Sequence, residues 1–560
     1  MGRFFGVIKK SSLSNSSIFR RILIFLIPFL ILLTLAFFQI FNLMILRSDE
    51  FTTQADSNRI LKERVFPPRG LILDRNEEVV VENFIRQDLK VTPSFIEDYS
   101  LYISNLSELM NYETSKIENI FYKKLSEIKP FQSFTLIRNL TDEQIAKLNL
   151  NLNKFAGTEI IPNFSRNVIQ GESLGSVVGY LGFASKNFML QDPNLKNFSD
   201  QQIGLLGIEK EYDNFLRGEI GYKFLEKDSK GTVIKVLSSE PPKKGKNLKL
   251  SIDLELQRTL FKEFTGKKGA LIAIEPETGF IRALISSPSY DPNYLNNLYS
   301  DEIEKILQDK DSPLFNRAVS GQYPPASTLK PFIGLAALEE QVITWDEKID
   351  DQGEFFVEGD DRPYRGWKEE GHGLVNMESA IAESSDVYFY NIAFDLTVSS
   401  ISPFLAKFGF GASSKLIGNE SKGILPDKNW KLGQKGEFWF KGDTINMGIG
   451  QGYILTTPLQ IALAYSALVN GGQLITPRIV ESIDGETTEF SSKKIELKNN
   501  ENWDLIKKAL VSVVESNKGT AHNLFDPEKR IAGKTGTAQV KSLINDIKYQ
   551  EIRENELLRD

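Results

Sequence analysis

Residues 22–46, "ILIFLIPFLILLTLAFFQIFNLMIL", form an apolar run without a single charge. A helix needs about 20 residues to cross a bilayer, so the run predicts one membrane-spanning helix. A cleaved signal peptide is the alternative, but the run is longer than an h-region and no small-x-small cleavage site follows it. Beyond it the patterning becomes periodic. "RVFPPRGLILDRNEEVVVEN" (64–83) sets a Pro-Pro-Arg-Gly turn before a β-like run, and mixed helical and polar sequence follows to about 240. "SSEPPKKGKN" (238–247) has the Pro, Gly and Lys content of a linker. After it, Leu256, Leu260, Phe261 and Phe264 fall on one helical face, and "GALIAIEPETGFIRALISSP" (269–288) reads as two strands about a Pro-Glu-Thr-Gly turn. "PPASTLKPFIGLAALEEQ" and "NMESAIAESSDVYFYNIAFDL" read as helices, "LTTPLQIALAYSALVNGG" as a helix stopped by glycines, and "RIAGKTGTAQV" as a strand. The patterning predicts an α+β second domain opened by a hairpin beside a helix.

Length and charge narrow the classes. A chain of 560 residues exceeds one ordinary core and favours two or more domains. Arg3, Lys9, Lys10, Arg20 and Arg21 precede the apolar run with no acidic residue among them, whereas Asp49 and Glu50 follow it. The positive-inside bias therefore places the short tail in the cytoplasm and exports everything after the run. The absence of cysteine excludes disulfides, thiolate metal sites and Cys nucleophiles. A net charge of −7 gives no electrostatic case for nucleic acid.

Candidate chemistry centres on Ser-x-x-Lys, which occurs at Ser126/Lys129, Ser327/Lys330 and Ser491/Lys494. Positions i and i+3 share a helix face, so the lysine can take the serine proton if burial or a neighbouring cation lowers its pKa. Ser126 and Ser491 lie in charge-dense, solvent-like sequence. Ser327 instead lies among Tyr323, Pro324, Pro325, Leu329, Phe332 and Ile333. Pro331 fits only a first helical turn, so the helix should begin close to Ser327 and aim free N–H groups toward its hydroxyl. Two motifs follow in order, Ser384-Ser385-Asp386 and Lys534-Thr535-Gly536. Lys534 would supply a second cation that depresses Lys330 and attracts a carboxylate, Thr535 could bond that carboxylate, and Gly536 would let a substrate lie against the strand.

Three rival readings are weaker. Gly-Lys-Thr at 533–535 resembles the end of a phosphate-binding loop, but Glu528 stands where that loop needs glycine. "GESLG" around Ser173 matches a nucleophile elbow, yet neither His372 nor His522 follows a strand-then-acid pattern. His372 with Asp350, Asp351, Asp360 or Asp361 nearby offers a metal-site reading, but three or four ligands must converge, and no metal or other cofactor is expected.

Taken together, the motifs resemble the class B penicillin-binding proteins, over nearly the whole chain, and within them the branch that serves cell elongation in rod-shaped Gram-negative bacteria. "PPRGLILDRN" and "GLLGIEKEYDNFLRG" look like blocks of the family's non-catalytic pedestal. "NRAVSGQYPPASTLKPF", "GHGLVNMESAIAESSDVYFYNIA", "GIGQGYILTTPLQIA" and "AGKTGTAQV" look like successive transpeptidase motifs, and Asp386, where many relatives carry Asn, is the form of the elongation enzyme. The resemblance implies a penicillin-binding-protein/serine β-lactamase-like transpeptidase domain, an antiparallel sheet packed with helices, behind an extended α+β pedestal. It implies a tail at 1–21, a transmembrane helix at 22–46, a pedestal at 47–245 and a transpeptidase domain at 246–560. Ser327 would be the acylated nucleophile and Lys330 its base. Ser384 and Asp386 would relay protons, and Lys534 and Thr535 would hold the terminal carboxylate beside Gly536. The N–H groups of Ser327 and Thr537 would form the oxyanion hole.

The implied reaction is D,D-transpeptidation of D-Ala-D-Ala stem peptides, with β-lactams as inhibitors and a membrane glycan polymerase as partner. The alternatives are a β-lactam sensor or inactive scaffold, and a β-lactamase, against which the pedestal argues. Some relatives have a metal site near His372 built with an added Asp and a Cys, where this chain has Gly366 and Ile381. The family also continues past Lys-Thr-Gly-Thr into a further strand and a C-terminal helix, so the resemblance implies a truncated catalytic sheet with an unpaired edge.

Overall fold

A computed structural model describes residues 15–47, 60–183, 201–227, 233–297, 300–359 and 363–538. Arg3, Lys9, Lys10, Asp49, Glu50, Asp360, Asp361 and the chain after 538 lie outside the described residues.

The chain forms two units, one of residues 1–67 with 219–243, the other of 68–218 with 244–560. In the first, a helix runs from Asn15 to Phe41 and passes into a π-turn at Asn42–Leu46. Leu23–Ile45 is long and apolar enough to cross a membrane, with its side chains unburied by protein. Ile60–Val65 pairs antiparallel with Gly221–Lys227, which pairs in turn with Val233–Glu240. The stretch 238–247 is therefore not linker throughout. Its first three residues close a strand, with Ser238 opposite Phe224 and Glu240 opposite Tyr222, because the Ile-Lys-Val-Leu run before them finds a partner ladder.

The second unit carries the rest. Val79–Val91 pairs with Thr158–Val168 in unbroken antiparallel register from Val81↔Val168 to Val91↔Thr158. The same strand belongs to a sheet that continues through Ile72–Leu73 and Leu248–Leu250 to Val480–Ile483. Arg69 follows the Pro-Pro turn and is buried with the Glu209 and Asp213 carboxylates at 2.6 and 2.9 Å, and Glu209 also takes the Arg166 guanidinium at 2.8 Å. Gly70 is obligatory here, since a Cβ would overlap the Lys246 carbonyl.

Gly269–Ile274 and Ile281–Ser287 form the expected hairpin. The neighbouring helix is Leu254–Glu263, but its buried stripe is Leu254 and Gln257, while Leu256 is exposed. Gln257 is drawn inward because its amide donates to the Ser173 and Leu284 carbonyls at 2.7 and 2.8 Å and accepts from the Leu284 N–H at 2.9 Å.

The catalytic-side core is helical. Lys330–Glu339 is apolar around most of its circumference and correspondingly buried, as expected of a helix with neighbours on every side. Phe332 sits edge-on to Phe408, Phe410 and Tyr465. Met377–Ala382, Asp386–Leu396, Pro458–Val469 and Glu501–Glu515 pack around it. "NMESAIAESSDVYFYNIAFDL" is thus two helices, broken where Ser384 takes a left-handed φ of 59°. Ser385 then caps the second helix, its hydroxyl accepting the Tyr388 N–H at 3.1 Å.

Candidate active site

The turn that presents Ser327 is built by its neighbours. Ala326 adopts φ 49° and donates its N–H to the Gly450 carbonyl at 2.9 Å, and a Cβ at Gly450 would overlap the Ala326 backbone. A 3-10 turn over Ala326–Leu329 leads into the Lys330–Glu339 helix, so the helix does begin beside the serine, with Pro331 in its first turn. Ser327 is half-buried, and its hydroxyl makes no hydrogen bond among the described residues.

Lys330 is fully buried, and its ammonium donates to the Ser384 carbonyl at 2.7 Å, the Ser384 hydroxyl at 3.2 Å and Asp386 Oδ1 at 2.7 Å. Burial pushes its pKa below the ordinary lysine value, against the carboxylates of Asp386 and Asp351, which favour the charged form. Lys534 donates to the same Ser384 hydroxyl at 3.0 Å. One hydroxyl therefore stands between two lysine nitrogens. Burial first and the Lys330 charge second push Lys534 down to about 7. The neighbouring-cation effect expected at Lys330 falls on Lys534 instead, because Lys330 has the Asp386 carboxylate to hold its proton and Lys534 is the less compensated partner.

Thr535 meets the Thr520 hydroxyl at 2.7 Å, and the Thr537 carbonyl accepts Gln451 Nε2 at 3.4 Å. A Cβ at Gly536 would come within 2.9 Å of the Thr328 methyl, so glycine is what lets this segment lie against the Ser327 turn. Residues 531–538 carry no β-ladder, contrary to the predicted strand. Among the described residues, the Gly533 N–H to Leu510 carbonyl bond of 3.0 Å and the side chains named above hold the segment, and the chain expected beyond it lies outside them.

The other two Ser-x-x-Lys copies bring no partners together. Ser126 donates to the Lys123 carbonyl on an exposed helix, Ser491 bonds the Thr476 hydroxyl, and Lys494 reaches the Gly471 carbonyl. Ser173 donates to Gln170 within the Gly171–Val178 helix, with no histidine beside it among the described contacts. His372 is buried and shares Asp351 Oδ2 with the Ser385 hydroxyl, at 2.7 and 2.6 Å. Asp350 instead takes the Gln352 amide, Ile381 is in the apolar core, and among the described residues no three His, Asp or Glu converge as ligands.

Trp367 and Gln451 join the site without having been singled out in the sequence as site residues, and Asp351, weighed there only as a metal ligand beside His372, joins it by accepting the Ser385 hydroxyl. Trp367 bonds both Ser384 and Asp386. Gln451 had a signal in its Gly-Gln-Gly setting, and Asp351 had one in its proximity to His372, but Trp367 had none.

The penicillin-binding protein transpeptidase domain matches residues 269–552, and the penicillin-binding protein dimerisation domain matches residues 64–250. The peptidoglycan D,D-transpeptidase MrdA of Haemophilus influenzae is 35% identical, over 95% of this chain and 83% of that protein. The chain belongs to the penicillin-binding proteins. Among this family's members, Escherichia coli K12 MrdA is 32% identical over 98% of the chain and 88% of its own length. The Helicobacter pylori penicillin-binding protein PBP2, solved in complex with MreC, superposes with a TM-score of 0.78 at 29% identity, covering 86% of this chain and 90% of that one. Pseudomonas aeruginosa PBP2 in complex with WCK 5153 gives 0.65 at 29% identity, covering 86% of each chain. The penicillin-binding protein fold thus accounts for both the sheet-and-helix catalytic half and the segment ahead of it.

Proposed function

We propose that this penicillin-binding protein is the D,D-transpeptidase that cross-links peptidoglycan stem peptides during cell elongation. The observation that carries the site assignment is the Ser384 hydroxyl, held between Lys534 at 3.0 Å and, at 3.2 Å, Lys330, which lies one helical turn from Ser327.

Ser327 Oγ attacks the carbonyl of the penultimate D-Ala. Its proton passes to Lys330, the new C–O bond forms, and the C–N bond to the terminal D-Ala breaks as its nitrogen is protonated. An amine from a neighbouring strand then takes the acyl group by the reverse sequence. The N–H groups of Ser327 and Thr537 stabilise the oxyanion, and the Ser327 N–H lies at a helix start where donors lack intrahelical partners. Lys534 and Thr535 hold the terminal carboxylate.

The Lys330 charge lowers Lys534, so the two lysines titrate as a coupled pair. Without substrate, the Lys330 nitrogen reaches three acceptors, burial lowers its pKa, and when charged it depresses Lys534. A carboxylate arriving at Lys534 draws the proton there, and Ser384 is the hydroxyl placed to pass it. Lys330 is then neutral and able to act as base.

We assign residues 1–21 to a cytoplasmic tail, 22–46 to the inner-membrane anchor, 47–245 to the pedestal and 246–560 to the transpeptidase domain on the periplasmic side. The basic residues before the apolar run and the family matches on either side of residue 250 support this division. A membrane glycan polymerase is the expected partner, supported by a relative of this fold solved within a peptidoglycan synthase complex.

A fluorescent penicillin should label the full chain, and Ser327→Ala should abolish the label. Labelling that survives that substitution sinks the assignment.

A further inference from the structure

The search for groups that the proposed chemistry leaves unused ends at Trp367, on the segment that follows the Tyr364–Arg365 strand. It reaches both outer members of the Ser384-Ser385-Asp386 motif, and by two different donors. Its backbone N–H donates to Asp386 Oδ2 at 2.9 Å, and its indole Nε1–H donates to the Ser384 carbonyl at 3.1 Å. Lys330 uses the complementary sites on the same two residues, Asp386 Oδ1 and that same Ser384 carbonyl, both at 2.7 Å. Ser384 and Asp386 are therefore gripped from two sides, by the lysine and by the tryptophan.

Ser384 is where the backbone turns. It occupies the left-handed region, at φ 59°, between two helices. A non-glycine residue there is strained and persists only if its surroundings impose it. The indole bond to its carbonyl acts on the peptide plane whose orientation sets where the Ser384 hydroxyl points. That hydroxyl must face Lys330 and Lys534 together. The indole is itself oriented by edge-on contact with the His372 ring, 5.5 Å between centroids, and by Gly366, whose N–H donates to the Gly353 carbonyl at 2.8 Å. His372 and Gly353 both bond Asp351, which accepts the Ser385 hydroxyl. The tryptophan thus belongs to a frame that closes on the motif through all three of its residues.

We propose that Trp367 is a positioning residue for acyl transfer, its indole N–H holding Ser384 so that one hydroxyl serves both lysines. It does not act on the substrate. The inference rests on the site assignment above, and adds a residue that the three motifs do not contain.

Two full-length variants test it. Trp367→Phe keeps the backbone N–H to Asp386 and removes the indole. Incorporation of benzothienylalanine at 367 keeps the bicyclic ring and its packing on His372, and puts sulfur in place of the N–H. We expect both to lower the second-order rate of acylation by a fluorescent penicillin about tenfold, roughly the effect of one hydrogen bond that orients a reacting group. The isostere should leave the melting temperature unchanged. The titratable groups around Ser384 are Lys330, Asp386, Lys534 and, behind them, Asp351 and His372. With Ser384 released, Lys330 and Lys534 no longer exchange a proton through it, so the acid limb of the acylation rate should move to higher pH. A merely structural tryptophan would not move that limb in the isostere.

Ser327→Ala is run alongside. If it still labels, the site assignment fails. If it is silent while the isostere acylates at the parent rate with its acid limb in place, the assignment stands and the positioning role of Trp367 is overturned. An isostere that loses rate only in proportion to lost folded protein overturns it as well.

Discussion

Ser384 determines what the two lysines can do. Lys534 sits near 7 and Lys330 lies below the ordinary lysine value, so the pair carries both protons only at pH below about 7. With two protons present no base is available. The rate of acylation by a carboxylate-bearing penicillin should therefore climb as pH rises through about 7 and then level off, while non-covalent affinity for the same carboxylate weakens over that interval. Stopped-flow measurement from pH 5.5 to 8.5 separates the two trends, and a rate independent of pH in that range contradicts the shared proton. Ser384→Ala should cost on the order of 100-fold, the usual worth of a positioned proton-transfer group, with little change in affinity. The pair Ser327/Lys330 could be picked out in the sequence by its apolar setting. The direction of the electrostatics could not, because it depends on Asp386 approaching Lys330 to 2.7 Å from 56 residues away.

At the scale of elements, the Lys330–Glu339 helix supports the site from within. Phe332, 1% exposed and ringed by Phe408, Phe410 and Tyr465, should cost about 3–5 kcal/mol when cut to Ala. Ser385→Ala removes a helix cap as well as a bond to Asp351, and should cost about 1–2 kcal/mol together with some acylation rate. Chemical denaturation monitored by tryptophan fluorescence checks both values. These helices were legible because apolar periodicity is a local property. The break at Ser384 was not, since serine is tolerated in helix interiors and only the capping geometry of Ser385 reveals the turn. Gln257 escaped for the opposite reason. A polar side chain scores as surface until three backbone groups, distant in sequence, are found to satisfy it.

Across the whole molecule, the half before residue 250 showed no chemical cluster in its sequence, yet it contains the buried Arg69, Arg166, Glu209 and Asp213 network. Its members come from three separate stretches, so no spacing rule finds them. Glu209 is 1% exposed and receives two guanidinium groups. Glu209→Ala strands the Arg166 guanidinium, leaves Arg69 with Asp213 alone, and should destabilise the second unit by about 3–5 kcal/mol. A calorimetric trace unchanged by that substitution would show that the arginines find other partners. The apolar run, by contrast, was plain from composition alone, because a bilayer demands length and the absence of charge rather than any particular partner.

The shared hydroxyl also bears on inhibitor chemistry. A compound that brings no anion to Lys534 leaves that end of the shared hydroxyl without a counter-charge, and the proton transfer that frees Lys330 as a base is then unassisted. Such a molecule could fill the groove well and still acylate slowly. Medicinal series against this enzyme should therefore rank first by where they place negative charge, and only afterwards by how well their side chains fit.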